Sequence, residues 1–133
     1  MSDSPVNPWS RSRGKKVLVV DDDPDMRMLV AVLLGNKGFT VVGQSSDGAD
    51  AVRVSYEEQP DFVVLDHMMP NVDGRDAASF IRATCPRAYI LAFSGAGITH
   101  CDWADDLLDK NDITKLPILL ERVVSKRNKM LPA

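Results

Sequence analysis

Cysteine is nearly absent. Cys85 and Cys101 are the only two, so no disulfide framework can brace the chain, and a reducing compartment suits it. Histidine is as scarce. His100-Cys101-Asp102 has no second His/Cys cluster to complete a metal site, so these read as loop residues. No apolar run approaches the ~18–20 residues of a membrane span, and residues 1–14 lack the apolar core of a signal peptide. Charge of one sign is also lacking. A net charge of -3 and a pI near 5.3 exclude a nucleic-acid surface built on bulk basicity. The small basic groups Arg11, Arg13, Lys15, Lys16 and Lys126, Arg127, Lys129 read as solvated ends. A cytoplasmic protein without membrane insertion or direct nucleic-acid contact is expected.

What remains is an ordinary globular composition, 44% hydrophobic and 26% charged, in a length of 133 residues that fits one domain. Residues 1–14, with Pro5, Pro8 and four serines, read as a flexible leader that carries Trp9. The domain then spans about 15–130.

Short β-branched runs alternate with helical periodicity. Strands are expected at Lys16–Val20, Phe39–Val42, Phe62–Leu65, Tyr89–Phe93 and Asp106–Asp109. The first helix starts at Asp23-Pro24, where Asp caps and Pro suits the first position. It buries Met26, Leu29, Val30, Leu33 and Leu34, and Gly35 and Gly38 stop it. Further helices are expected at 49–58 (Ala51, Val52, Tyr56), 75–83 (Ala78, Phe80, Ile81) and 114–128 (Leu116, Leu119, Leu120, Val123, Val124), with Pro117 tolerable only in a first turn. Alternation of this kind means βαβ units and a parallel sheet covered on both faces.

In such a sheet, sites form beyond the carboxyl ends of the strands. Asp21, Asp22 and Asp23 follow the first strand, Asp66 the third, Ser94 the fourth and Lys110 the fifth. Carboxylates gathered at ~4–5 Å repel by roughly 3–4 kcal/mol per pair at an effective dielectric of ~20. Such a cluster is tolerated where a divalent cation or phosphate chemistry uses it. Taken singly, each residue has a plain reading as a cap, a solvated lysine or a turn serine; their common order at one sheet edge does not.

These stretches resemble the receiver (response-regulator) domain family of two-component signalling. The matching residues are Val17–Pro24, Gly48–Ala51, Asp61–Gly74, Ser94–Ala96 and Asp105–Lys110. The resemblance implies a doubly wound, flavodoxin-like α/β fold with five parallel strands in the order 2-1-3-4-5. It implies Asp66 as phospho-acceptor, with Mg²⁺ (or Mn²⁺) held by Asp22, Asp66 and the backbone carbonyl of Met68, and by Asp21 mainly through metal-bound water. Ser94 and Lys110 would bind the phosphoryl group. The implied partners are a histidine kinase or histidine phosphotransfer protein and a downstream protein target. The unit would be a monomer or weak dimer with no output domain, and its limited chemistry would be phosphotransfer and autodephosphorylation.

Three residues depart from the family pattern. Asn111 replaces a proline, so the Lys110–Asn111 bond is expected to be trans. Leu107 replaces an aromatic, and Ser94 the commoner threonine. The stretch between Ser94 and Lys110 is also short, which leaves room for at most roughly two helical turns. The helix between the fourth and fifth strands is therefore expected to be short or absent, that segment mobile, and the partner mode unusual. Two rival readings stay open. In a haloacid-dehalogenase-like phosphatase, Asp21 would be nucleophile and Asp23 acid/base. A pseudo-receiver would bind partners through a vestigial site.

Overall fold

A computed structural model describes residues 15–69, 72–95 and 97–130. The expected leader 1–14, with Trp9, lies outside the described residues. Five parallel strands form one sheet in the order β2-β1-β3-β4-β5. They are β1 (Lys16–Val20), β2 (Thr40–Ser45), β3 (Phe62–Asp66), β4 (Tyr89–Ser94) and β5 (Asp106–Asp109). The helices are α1 (Pro24–Asn36), α2 (Gly48–Glu58), α3 (Gly74–Thr84) and α4 (Leu116–Met130), the last preceded by a 3-10 segment, Lys110–Lys115. The expected fold class, strand order and parallel pairing are all present.

The strands read as near-continuous apolar runs because both faces of the sheet are covered. Alternate residues go to opposite layers. Val17, Val19, Phe62, Val64, Leu91, Phe93 and Leu108 pack with Val30 and Leu34 of α1 and Leu116, Leu120, Val123 and Val124 of α4. Leu18, Val20, Val63, Leu65 and Ile90 face Ala51 and Val54 of α2 and Ala77, Ala78 and Ile81 of α3. Each fully buried Val, Leu, Ile or Phe contributes about 1.5–3 kcal/mol before entropy is charged.

Caps start α1, α2 and α3 where the sequence places acidic residues. The side chains of Asp23, Asp47 and Asp73 accept from backbone N–H groups in the first turns of α1, α2 and α3. Pro117 sits in the first turn of α4, as its missing N–H requires.

Several expectations are corrected. Leu29, Tyr56 and Phe80, expected to face inward, are exposed. Small residues carry the inner arcs of α2 and α3 instead, which lets those helices sit close on the sheet. Gly35 lies within α1, and the chain turns only at Gly38, whose φ is +92°. β2 runs past Val42 to Ser45. Val17 pairs with Val41 and Leu18 with Gly43, so Val42 is bulged out of the ladder. A Cβ on Gly43 would stand 2.9 Å from Val54 Cγ1, so glycine there admits α2 to the sheet. Lys15, read as solvated, is buried, and that burial lowers its pKa against the opposing pull of Asp61.

Between β4 and β5 no helix forms among the described residues, as the short spacing predicts. The segment is nonetheless pinned. Arg75 pairs with Asp102 at 2.7 Å, and Arg82 donates to the Trp103 carbonyl at 3.0 Å. Arg82 also meets Asp105 at 3.3 Å. Asp105 binds the β4 backbone twice: its N–H donates to Ile90 O, and its carboxylate accepts from Ile90 N, both at 2.8 Å. A wholly mobile segment is not what these contacts describe. No cis peptide occurs among the described residues, so Lys110–Asn111 is trans.

Candidate functional site

The carboxyl ends of β1, β3 and β4 and the residue after β5 meet at one edge. Asp21 leaves β1 with its N–H donated to Ser45 O at 3.0 Å. Its carbonyl accepts from Arg27 Nη1 at 2.7 Å, and its Oδ1 accepts from Asp23 N at 2.9 Å. Three hydrogen bonds thus hold Asp21, whose side chain is almost fully buried. Asp22, next in the chain, is exposed. Asp66 ends β3, is 5% exposed, and its Oδ1 accepts from Met68 N at 3.3 Å. Ser94 ends β4, buried, one residue beyond Phe93, the register partner of Asp66. Asp21, Asp22 and Asp66 each offer a carboxylate oxygen, and those oxygens lie within 4.8 Å of one another.

Lys110 reaches into this group. Its Nζ is 2.7 Å from Asp21 Oδ2 and 3.5 Å from Asp66 Oδ1, and it stands 6.0 Å from the Phe93 ring centroid. The ion pair with Asp21 is short, but Oδ2 gains no well-directed hydrogen bond from it.

The lysine therefore favours Asp21 over Asp66, and the electrostatics follow. Burial, then the Asp21 charge, pushes the Asp66 carboxyl up to about 6, and the more distant Lys110 offsets this only in part. For Lys110 burial acts downward. The close approach to Asp21 and the charges of Asp66 and Asp21 outweigh it, so its pKa ends raised. Two buried carboxylates with one ammonium leave negative charge uncompensated. Three convergent hard oxygen donors fit a small divalent cation, whose octahedral shell water can complete.

Every site residue expected from the sequence lies on this edge. Met68 has its N–H on Asp66, while its side chain is 65% exposed. His100, Cys101 and Asp102 belong to no cation cluster among the described residues, and both cysteines are free thiols. Asp102 instead serves Arg75.

Sequence reasoning missed two neighbours. Arg27 braces Asp21 from the first turn of α1. Trp103 stacks on His67 with ring centroids 5.7 Å apart and 28° between planes. A basic residue four after the capping Asp23 was a visible signal for Arg27. None marked Trp103, which lies 36 residues from His67 in a stretch without periodicity.

Comparison with known proteins agrees with this geometry. The family model described as "Response regulator receiver domain" matches residues 17–109. The chain is 33% identical to the chemotaxis protein CheY of Thermotoga maritima over 117 residues, which cover 88% of this chain and 98% of that protein. It is 38% identical over 82 residues to the transcriptional regulatory protein PdtaR of Mycobacterium tuberculosis H37Rv, covering 60% of this chain but only 40% of that longer protein. Among solved structures, the receiver domain of the sensor histidine kinase PA1611 from Pseudomonas aeruginosa PAO1 superposes with a TM-score of 0.74 at 26% identity. The match covers 84% of this chain and 98% of that one, and the PA1611 domain has a magnesium ion coordinated in its active site cleft. No helix among the described residues is long and apolar enough to cross a membrane. By its fold, its acidic edge and the match over residues 17–109, the chain belongs to the response regulator receiver domain family of two-component signalling.

Proposed function

We propose that Asp66 accepts a phosphoryl group from the phosphohistidine of a histidine kinase or histidine phosphotransfer protein, and that the adduct changes how the domain engages a partner protein. The observation that carries this reading is the trio Asp21, Asp22 and Asp66 within 4.8 Å, with Lys110 reaching two of its members. A carboxylate oxygen of Asp66 attacks phosphorus in line with the leaving imidazole nitrogen. The P–O bond forms as the P–N bond breaks, and the electron pair leaves with the imidazole. Asp21, Asp22, Asp66 and the Met68 carbonyl would hold Mg²⁺ or Mn²⁺. When bound, the cation supplies neutralisation of the phosphoryl charge that otherwise repels a carboxylate nucleophile. Lys110 supplies a second positive charge, and the Ser94 hydroxyl donates to a phosphoryl oxygen.

Receiver domains are signalling proteins rather than classical enzymes, so slow loss of the phosphoryl group to water is the only hydrolysis proposed. Residues 15–130 carry the whole reaction. The output is a protein contact, not a nucleic-acid one, made by a monomer or weak dimer. We assign the exchange to the cytoplasm, where the free thiols Cys85 and Cys101 would stay reduced.

The test is incubation with Mg²⁺ and acetyl phosphate, borohydride trapping of the acyl phosphate, and mass spectrometry of the peptides. Label on Asp66 supports the proposal. Label on Asp21 would move the chemistry to the phosphatase-like arrangement. An unlabelled protein that also binds no Mg²⁺ would be a pseudo-receiver.

Lys110→Met carries its own expectation. Labelling should slow about 10²-fold, the usual cost of one lost charge-stabilising donor. Without Mg²⁺ the variant should also melt lower than the parent, because Asp21 and Asp66 are left facing each other unneutralised. Added Mg²⁺ should recover much of that loss by binding only the folded chain. Parent-like labelling, or melting indifferent to Mg²⁺, would remove Lys110 from the site.

A further inference from the structure

The segment from β4 to β5 touches the acidic edge twice. At its start, Gly95 follows the buried Ser94, and a Cβ there would lie 3.6 Å from Lys110 Cδ. Near its end, Trp103 occupies the space that Gly74 leaves open. A Cβ on Gly74 would meet Trp103 Cζ2 at 2.6 Å, Cη2 at 2.9 Å and the Asp66 carbonyl oxygen at 3.2 Å. The indole and the Asp66 peptide therefore meet at one small residue.

The same indole stacks on His67. His67 stands between Asp66 and Met68, and the Met68 N–H donates to Asp66 Oδ1. Its Nδ1 is buried with no hydrogen-bond partner, so no polar contact at that atom orients the ring. Trp103 is in turn held from both sides: Asp102 by Arg75, the Trp103 carbonyl by Arg82, and Asp105 by Arg82 and Ile90. An indole has only two side-chain torsions to fix, so it makes a stiff prop. In a segment without a helix, this prop gives the turn after β3 a fixed wall.

We infer that Trp103 is a positioning residue for the phosphoryl-acceptor site: by stacking on His67 and resting on Gly74, it fixes the Asp66–Met68 turn, and so the carboxylate and the Met68 carbonyl. The inference rests on the phospho-acceptor reading of Asp66. Coupling of this kind is reciprocal. A cation or phosphoryl group that settles the turn must also alter the surroundings of the indole.

The experiment uses the full chain with Trp9→Phe, which leaves Trp103 as the single tryptophan. Mg²⁺ is titrated by fluorescence and, in parallel, by calorimetry. Trp103→Leu and Trp103→Phe are then compared for Mg²⁺ half-saturation, for the rate of Asp66 labelling by acetyl phosphate, and for melting temperature. Trp103 emission should change saturably, with the calorimetric midpoint. Trp103→Leu should weaken Mg²⁺ half-saturation and slow labelling about 3- to 10-fold, whereas Trp103→Phe, which keeps a ring on Gly74, should stay within about twofold.

A merely structural tryptophan would lower both melting temperatures and leave half-saturation alone, and that outcome overturns the inference. So does an emission that ignores Mg²⁺ seen to bind by calorimetry. A parent unlabelled on Asp66 defeats the acceptor reading instead, and the Mg²⁺ arms still decide the role of Trp103. If the parent takes up no Mg²⁺ either, both fall.

Discussion

Asp66→Asn is expected to take no label from acetyl phosphate and to melt higher than the parent. The first half follows from chemistry, since an amide oxygen carries no charge to form the acyl phosphate. The second follows from burial. Asp66 is held near a pKa of about 6, by desolvation first and the Asp21 charge second. In the unfolded chain the group titrates near 3.8. The folded state thus binds the proton more tightly, and this group's contribution to stability is full below pH ~4 and lost as pH rises through ~6. At pH 7 the ionised form costs about 1–2 kcal/mol once solvent screening is allowed for.

The asparagine removes that cost, so a rise of about 3–8 °C in Tm at pH 7 is expected, shrinking to little at pH 4. Thermal melts of both proteins in metal-free buffer across that range are the check. A variant that is no more stable at pH 7 than at pH 4, relative to parent, would mean that Asp66 is not electrostatically strained. Labelling of the parent should fall as pH drops through the same region. Mg²⁺ should move that fall to lower pH, because a cation favours the carboxylate.

Phe62→Ala should be the most damaging core substitution. Phe62 starts β3, is fully buried, and pairs in register with Val17 on one side and Tyr89 on the other. Its ring meets Phe39 edge-on at 5.9 Å and Tyr89 at 6.0 Å. In a protein with 6% aromatic residues, this trio is a large share of the aromatic packing. Truncation removes the transferred area, leaves a cavity and breaks two ring contacts, at a cost of about 3–5 kcal/mol. Urea unfolding should show a midpoint lowered by that loss divided by the slope, with the slope itself unchanged. A loss below about 1 kcal/mol would mean that the layer collapses around the gap, which close packing opposes.

The legible parts of the chain were those written as local runs. Val17–Val20, Phe62–Leu65 and Tyr89–Phe93 are apolar because both sheet faces are covered, and that pattern needs no partner to be read. The acidic edge was legible because β1, β3, β4 and β5 each end on or lead into a residue that chemistry explains. Illegible were features set by partners distant in sequence. The end of β2, Gly43-Gln44-Ser45, reads as loop; pairing with β1 and a missing Cβ under Val54 make it strand. Lys110–Lys115 has no periodicity that forecasts a 3-10 turn. Trp103 docks where Gly74 offers room, and a glycine at a helix start gives no sign of what will fill it. Phe80 and Tyr56 are exposed although large apolar side chains favour burial, because α2 and α3 turn alanines toward the sheet.

A crossover without a helix also shapes how the sheet is assembled and undone. Loop-closure entropy grows only slowly with length, so joining β5 to β4 through eleven residues costs little. The gain on closure is modest too, because β5 is four residues long, lies at the sheet edge, and buries only Leu108. Its attachment leans on the paired bonds between Asp105 and Ile90. The outer strand therefore forms a small cooperative unit of its own, able to part from β4 without unfolding the remaining four strands. In native-state hydrogen exchange, the amides of Leu107 and Leu108 should lose protection well before those of Val63 and Val64 in the sheet centre. The strand that delivers Lys110 to the carboxylates is thus a lightly held edge of the sheet.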